Sequence, residues 1–194
     1  MFRIALFCGF LLLSACATFD KTNIPPGQRV EGLGFSFEAP TEHAWFAAEY
    51  GTSNRIKLIQ LNDDDRYTIL VSLNRGPRRG MYQTAEAHLQ VFQRYKQVEV
   101  QPPGYFLLDH QEMIDEQYGH LCLRYTANAK DWRGRSKEGA ALIDMVGLTC
   151  EHATLPNVLI SVELSRRFEA SSDKIDISPF AEQLFKSLEF FAPE

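Results

Sequence analysis

Residues 157–165 read Asn-Val-Leu-Ile-Ser-Val-Glu-Leu-Ser, and every second position from Val158 to Leu164 is apolar. Side chains two apart on a β-strand point to the same face, so this alternation predicts a strand with one buried face. Two further β-rich runs precede it, at residues 119–127 and 139–150. Together the three runs predict a meander of antiparallel strands.

Helices and strands flank this meander on both sides. A closing helix is predicted with Ser178 as its cap and Pro179 as its first residue, because a run of apolar side chains then follows at helical spacing. Upstream, a strand is predicted at residues 34–38. A hairpin is predicted with strands at 55–61 and 67–73 and a polar turn at 62–65. Residues 42–50 suit a helix or a strand equally. Thr84 caps a predicted helix that runs to about Gln97. This order favours an α+β fold, a mainly antiparallel sheet covered by helices on one or both faces.

The first strand and the last helix carry a resemblance to known domains. Phe35 and Phe37 alternate in a strand that Pro40 stops, Trp45 follows, and residues 184–190 read Leu-Phe-Lys-Ser-Leu-Glu-Phe. In these positions the chain resembles PsbP-like and Mog1-like α/β domains. The resemblance implies a fold only, since one fold hosts many functions.

The N-terminus has the pattern of an export signal. After Arg3 comes an apolar stretch from Ile4 to Leu13, which has the length of a signal-peptide core and is too short to span a bilayer. It ends in Leu13-Ser14-Ala15-Cys16, which resembles the lipobox of bacterial lipoproteins. The resemblance implies that residues 1–15 are removed and that Cys16 is lipidated. The alternative is an ordinary secretory signal.

The lipobox and the composition divide the chain into three segments. Residues 1–15 form the signal peptide, 16–31 form a lipidated cysteine and a flexible tether broken by Pro25, Pro26 and Gly27, and 32–194 form a single globular domain. From Cys16 onward the chain has 25 acidic and 19 basic side chains, which argues against a nucleic-acid partner. Ala17, where many inner-membrane lipoproteins carry aspartate, points by resemblance to the outer membrane and the periplasm.

Two cysteines remain in the predicted domain, Cys122 and Cys150. An even pair in an oxidising compartment predicts a disulfide. If the runs that contain them form a hairpin around residues 131–136, with Cys122 opposite Cys150, then His120 lies opposite His152. Two thiols and two imidazoles form a ligand set for zinc or copper, so the alternatives to a structural disulfide without metal or other cofactor are a metal site and free or wrongly paired thiols.

Other candidate sites have weaker patterns. The sequence contains no zinc-protease, phosphate-loop or dinucleotide motif. His88 lies on the apolar face of a predicted helix and suits a packing role. The acidic turn at 63–65 lacks the remaining ligands of a calcium loop, and the arginine-containing loops at 75–79 and 133–137 suit either solvated surfaces or contacts with phosphate groups.

The sequence therefore predicts a non-enzymatic lipoprotein of the cell envelope that acts as an interaction or accessory module for another protein. Such a module needs an exposed apolar or aromatic surface. The alternative is a lipid- or small-molecule-binding periplasmic domain with an apolar cavity. A hydrolase would require His120 or His152 to lie beside a serine and a carboxylate in a cleft.

Overall fold

The structure is a computed structural model that describes residues 23–42, 44–49, 54–61, 65–75, 84–99, 105–118, 121–136, 139–155, 157–173 and 175–192. It is dominated by strands. In chain order these are β1 Asn23–Ile24, β2 Arg29–Gly32, β3 Phe35–Glu38, β4 Trp45–Glu49, β5 Arg55–Leu61, β6 Asp65–Arg75, β7 Tyr105–Ile114, β8 Cys122–Ser136, β9 Gly139–Glu151, β10 Val158–Phe168 and β11 Glu189–Phe190. Two α-helices accompany them, α1 Ala85–Glu99 and α2 Ser178–Lys186.

The strands form two sheets. An eight-stranded sheet has the order β1-β4-β5-β6-β10-β9-β8-β7, and a three-stranded sheet has the order β11-β3-β2. All the pairings are antiparallel. The meander from β7 to β10 therefore joins the earlier strands through β6, which pairs with β10 along its whole length.

The main core lies on one face of the large sheet, which we call the α2 face. Alternate residues of β10, from Ile160 to Leu164, are buried there and pack with apolar side chains of the neighbouring strands, of α2 and of the small sheet. This confirms the alternation seen in the sequence. Helix α2 contacts β9, β10 and β3, so the small sheet and α2 share the task of covering this face.

The opposite face, the α1 face, carries the other helix. Thr84 accepts a hydrogen bond from the backbone N–H of Ala87 at 3.2 Å, so the predicted cap is present. His88 is buried, and its Nδ1–H donates to the carbonyl of Leu121 at 3.0 Å. Burial lowers the pKa of His88, which favours the neutral ring. His88 is therefore a packing residue that ties α1 to the start of β8.

The predicted fold class is correct in its coarse form and differs in its proportions. The structure has the antiparallel sheet and the two helices, but α1 contacts mainly β7 and β8, while α2 reaches β9 and β10. The molecule is thus sheet-dominated, because a second sheet takes part of the role that was predicted for helices. Residues 42–50, which suited either state, contain β4.

The predicted tether at 16–31 differs from the structure in its second half. Ile24 in β1 and Val30 in β2 are buried, and both strands are paired, β1 with β4 and β2 with β3. Pro25, Pro26 and Gly27 form a turn between two short strands, since Gly27 has a φ of +74° and the N–H of Gln28 donates to the carbonyl of Pro25 at 3.1 Å. The folded part begins no later than Asn23, nine residues before the predicted start of the domain at residue 32.

The predicted turn at 131–136 is wrong. Strand β8 continues to Ser136, and Ser136 pairs with Gly139. Asp131 is fully buried and forms an ion pair with Arg167 of β10. Cys122 can face Cys150 only in a hairpin centred near residue 136, so the correct register requires the later turn.

The last helix begins one residue earlier than predicted. Ser178 is its first residue and Ile177 occupies the cap position without a side-chain hydrogen bond. The carboxylate of Asp176 accepts a hydrogen bond from the N–H of Ser178 at 2.9 Å instead. Pro179 fits the first turn because the backbone N–H that proline lacks would have no partner within the helix there. In the part of the chain that the structure describes, neither helix is long and apolar enough to cross a membrane.

Candidate protein interaction surface

The two cysteines of the domain meet in the predicted register. Cys122 in β8 lies directly opposite Cys150 in β9, and the two sulfurs are bonded. Both residues are buried and contact the main core. In the disulfide neither sulfur is a thiolate, so neither can bind a metal ion in this state.

His152 forms a bridge between the two sheets. It is buried, and its Nε2–H donates to the carbonyl of Gly34 at 2.8 Å, while its Nδ1 accepts from the backbone N–H groups of Thr154 and Leu155 at 3.2 and 3.1 Å. Since Nδ1 accepts two hydrogen bonds, the neutral ring with the proton on Nε2 fits this site. The ring has no lone pair left for a metal, and His120 lies outside the described residues.

A polar cluster joins α2 to the connection between β7 and β8. Arg124 donates to Asp115 at 2.8 Å and also contacts Glu182, and the hydroxyl of Tyr118 donates to Glu182 at 2.5 Å. Burial and the bond to Glu182 raise the pKa of Tyr118 to about 12. The hydrogen bond from Arg124 lowers the pKa of Glu182. Both groups keep their usual protonation state at neutral pH, so this cluster holds α2 in place and is poorly suited to proton transfer.

Metal-binding clusters are absent from the described residues: no group of three or more His, Cys, Asp or Glu side chains is arranged to hold an ion there. The acidic turn at 63–64 and most of the arginine-containing loops at 75–79 and 133–137 lie outside the described residues or have side chains that are not described. The calcium and phosphate hypotheses therefore stay as sequence predictions.

The most distinctive surface lies along β7. Seven large apolar side chains are exposed among the described residues, and four of them belong to β7 or to the adjacent part of β8: Phe106 at 54%, Leu108 at 49%, Met113 at 55% and Trp132 at 61% exposure. We call these four residues the β7 strip. A concentration of exposed apolar area on one element is typical of a surface that another molecule covers.

A β-bulge explains why Phe106 and Met113 point to the same face of the sheet. Phe106 lies opposite Lys130 and Met113 lies opposite Arg124, and both partners are on the α2 face of β8. Residues seven apart on a regular strand would point to opposite faces, but the register shifts between Leu107 and Asp109. The extra residue restores the alignment, so Phe106 and Met113 share a face.

The sequence interpretation did not identify β7 as a strand. Its residues read Tyr-Phe-Leu-Leu-Asp-His-Gln-Glu-Met-Ile, and the bulge interrupts the alternation that would have revealed it. The signal that could have found it is the run of three apolar residues at 106–108 in a segment that is polar afterwards. Such a pattern is compatible with a bulged edge strand.

Comparison with solved structures gives two proteins of the kinds that the sequence resembles. The Ran-binding protein Mog1p of Saccharomyces cerevisiae is 10% identical with a TM-score of 0.46, and the match covers 89% of this chain and 97% of that one. Cyanobacterial PsbP (CyanoP) from Synechocystis sp. PCC 6803 is 15% identical with a TM-score of 0.44 over 92% of this chain and 99% of that one. No family model matches the sequence, and no curated protein matches it. The similarity concerns the fold, and no function is transferred from it.

Proposed function

We propose that this chain is a non-enzymatic lipoprotein of a bacterial outer membrane, anchored by lipid on Cys16 and facing the periplasm, and that its domain docks to a protein through the β7 strip. The strip is the observation that carries the proposal, because four of the seven large apolar side chains exposed among the described residues belong to the edge strand β7 or to the neighbouring strand β8. Burial of such side chains in an interface supplies most of the binding free energy in protein complexes.

The short connection to the anchor supports a role at the membrane surface. Six residues separate Cys16 from Asn23, the first residue of β1. At full extension this connection reaches roughly 23 Å, less than half the reach that a tether ending at residue 31 would have. The domain would thus meet partners that lie in or on the same membrane.

Lipidation of Cys16 is tested by metabolic labelling with an alkyne analogue of palmitate. We expect the label in the wild-type chain and essentially none in the Cys16→Ser variant, because the thioether to the lipid forms only on that sulfur. Cys8→Ser is the matched control and should keep the label, since Cys8 precedes the predicted cleavage site. An unlabelled wild-type chain would show that the segment is an ordinary signal, and label that survives in Cys16→Ser would show that the lipid is attached elsewhere.

Docking through the β7 strip is tested by purifying the tagged lipoprotein from its own membranes in mild detergent. An untagged copy of the chain is co-expressed, so that a companion can be either another protein or a second copy. We expect a stoichiometric companion whose yield falls at least about tenfold when Phe106 and Met113 are both replaced by serine, because two exposed apolar anchors leave the interface.

The matched control replaces Leu33 and Ile175 by serine. These side chains are also large and exposed, at 42% and 39%, but they lie outside the strip. The control should retain the companion. Recovery of the tagged chain alone in every sample, or equal losses in the two double variants, would contradict docking at the β7 strip.

A further inference from the structure

The outer edge of β7 has a defined set of exposed backbone groups. The N–H of Asp115 donates to the carbonyl of Cys122 at 2.9 Å, and the same register pairs Met113 with Arg124. Hydrogen-bonded and non-bonded pairs alternate along an antiparallel ladder. The N–H and C=O groups of His110, Glu112 and Ile114 therefore point away from β8, and within the described ranges no strand pairs with them.

The polar side chains on this edge can pair with those of a second copy of the same strand. His110 and Glu112 lie on the same face of β7, with His110 Nε2 at 3.8 Å from Glu112 Oε1. Glu112 Oε2 accepts a hydrogen bond from Gln93 of α1 at 3.3 Å, so Oε1 is the oxygen that faces the histidine. If two copies of β7 pair antiparallel about a two-fold axis through Gln111, His110 of each copy lies opposite Glu112 of the other. An imidazole opposite a carboxylate can form a hydrogen bond in either protonation state of the ring.

The neighbouring registers are less favourable. An axis through Glu112 would place the two Glu112 carboxylates directly opposite each other, and like charges in that position destabilise a pair of strands. An axis through His110 would bring Glu112 against Leu108 of the other copy, inside the bulge between Leu107 and Asp109. The axis through Gln111 keeps the pairs from Asp109 to Met113 within the regular part of the strand.

We propose that two copies of this chain associate through antiparallel β7–β7 pairing centred on Gln111, so that their large sheets become one continuous sheet. The inference rests on the proposed docking role of β7 and names its partner as a second copy; of the β7 strip, Met113 lies within the paired segment, opposite Asp109 of the other copy. Pairing satisfies the outward backbone groups of both strands, and a two-fold interface uses the same surface twice. Two anchors on one membrane hold the copies in the same plane and raise their effective concentration.

The pairing is tested by a disulfide across the proposed axis. In this register the two Gln111 residues form a non-hydrogen-bonded pair with Cα atoms about 4.5 Å apart, a distance that a disulfide can span. We expect Gln111→Cys in the full lipidated chain, oxidised in its own membranes, to run mainly as a dimer that reductant splits. Gln117→Cys, an exposed glutamine just beyond β7, is the matched control and should stay monomeric.

A charge change tests the register. In the Gln111→Cys background, His110→Glu places two carboxylates opposite each other twice, and we expect the cross-linked fraction to fall at least about threefold. His110→Lys keeps opposite charges and should cross-link like its parent. A monomeric Gln111→Cys chain, equal cross-linking at position 117, or no effect of His110→Glu would overturn the pairing.

One outcome separates this inference from the proposed function. If the Gln111→Cys variant forms its disulfide with a different protein, the second copy is the wrong partner but docking at β7 stands. If the serine variants at Phe106 and Met113 leave every companion bound, docking at the strip itself is wrong.

Discussion

Replacing Gly147 by alanine is expected to lower the free energy of unfolding by about 3 kcal/mol, a value at the upper end for overpacking of a core. Gly147 lies in β9 directly beneath the ring of Tyr125, and a Cβ at this position would be 2.0 Å from Cζ of that ring. The ring cannot move aside easily, because its hydroxyl donates to Glu163 at 2.6 Å and Phe92 packs against it at 5.3 Å. Urea unfolding followed by the fluorescence of the buried Trp45 measures the loss.

A double-mutant cycle provides the control for this expectation. In a Tyr125→Leu background the added methyl group meets a smaller side chain, so Gly147→Ala should cost less than about 1 kcal/mol there. A cost that is the same in both backgrounds would mean that the ring contact is not the cause.

Removing the disulfide is the second change with a large expected effect. Replacing both Cys122 and Cys150 by alanine opens a loop of 28 residues in the unfolded chain, and the chain-entropy relation gives a loss of about 3.5 kcal/mol. Both sulfurs are also buried in the main core, so the variant loses packing in addition. The difference in the free energy of unfolding is measured from the urea midpoints of the wild-type protein and the double variant, with the same dependence on urea concentration (m value) used for both.

Reductant supplies the matching control. It should lower the midpoint of the wild-type protein to nearly that of the double variant and leave the double variant unchanged. The native protein should also contain no thiol that reacts with a thiol reagent after unfolding without reductant. Two reactive thiols in freshly isolated protein would show that the cysteines are not joined in the cell.

The sequence predicted those elements whose apolar residues repeat regularly over two or more helical turns or strand pairs. The alternation of β10, the apolar side of α2 and the cap of α1 at Thr84 were all visible because each obeys one local rule. The opposition of Cys122 and Cys150 was also predicted, since it needs only two strands and one register.

The elements that escaped prediction are those in which tertiary contacts override the local pattern. Strands β1 and β2 are short and flank Pro25 and Pro26, so they form only because β4 and β3 supply partners. The candidate interaction surface was missed for a similar reason: the bulge between Leu107 and Asp109 hides the period of β7. Phe106 and Met113 are exposed because of where β7 lies in the whole sheet, and no local sequence pattern could predict this.

The pairing of the small sheet affects when the chain can fold. Strand β11 contributes Glu189 and Phe190, which pair with Ser36 and Phe35 of β3, more than 150 residues earlier. Contacts between residues far apart along a chain slow folding, because the long loop must be closed before the contact stabilises anything. The pairing of β3 with β11 must therefore wait for the C-terminal residues. If the chain is exported as proposed and crosses a membrane in an extended form, its last segment has to arrive on the far side before this pairing can form.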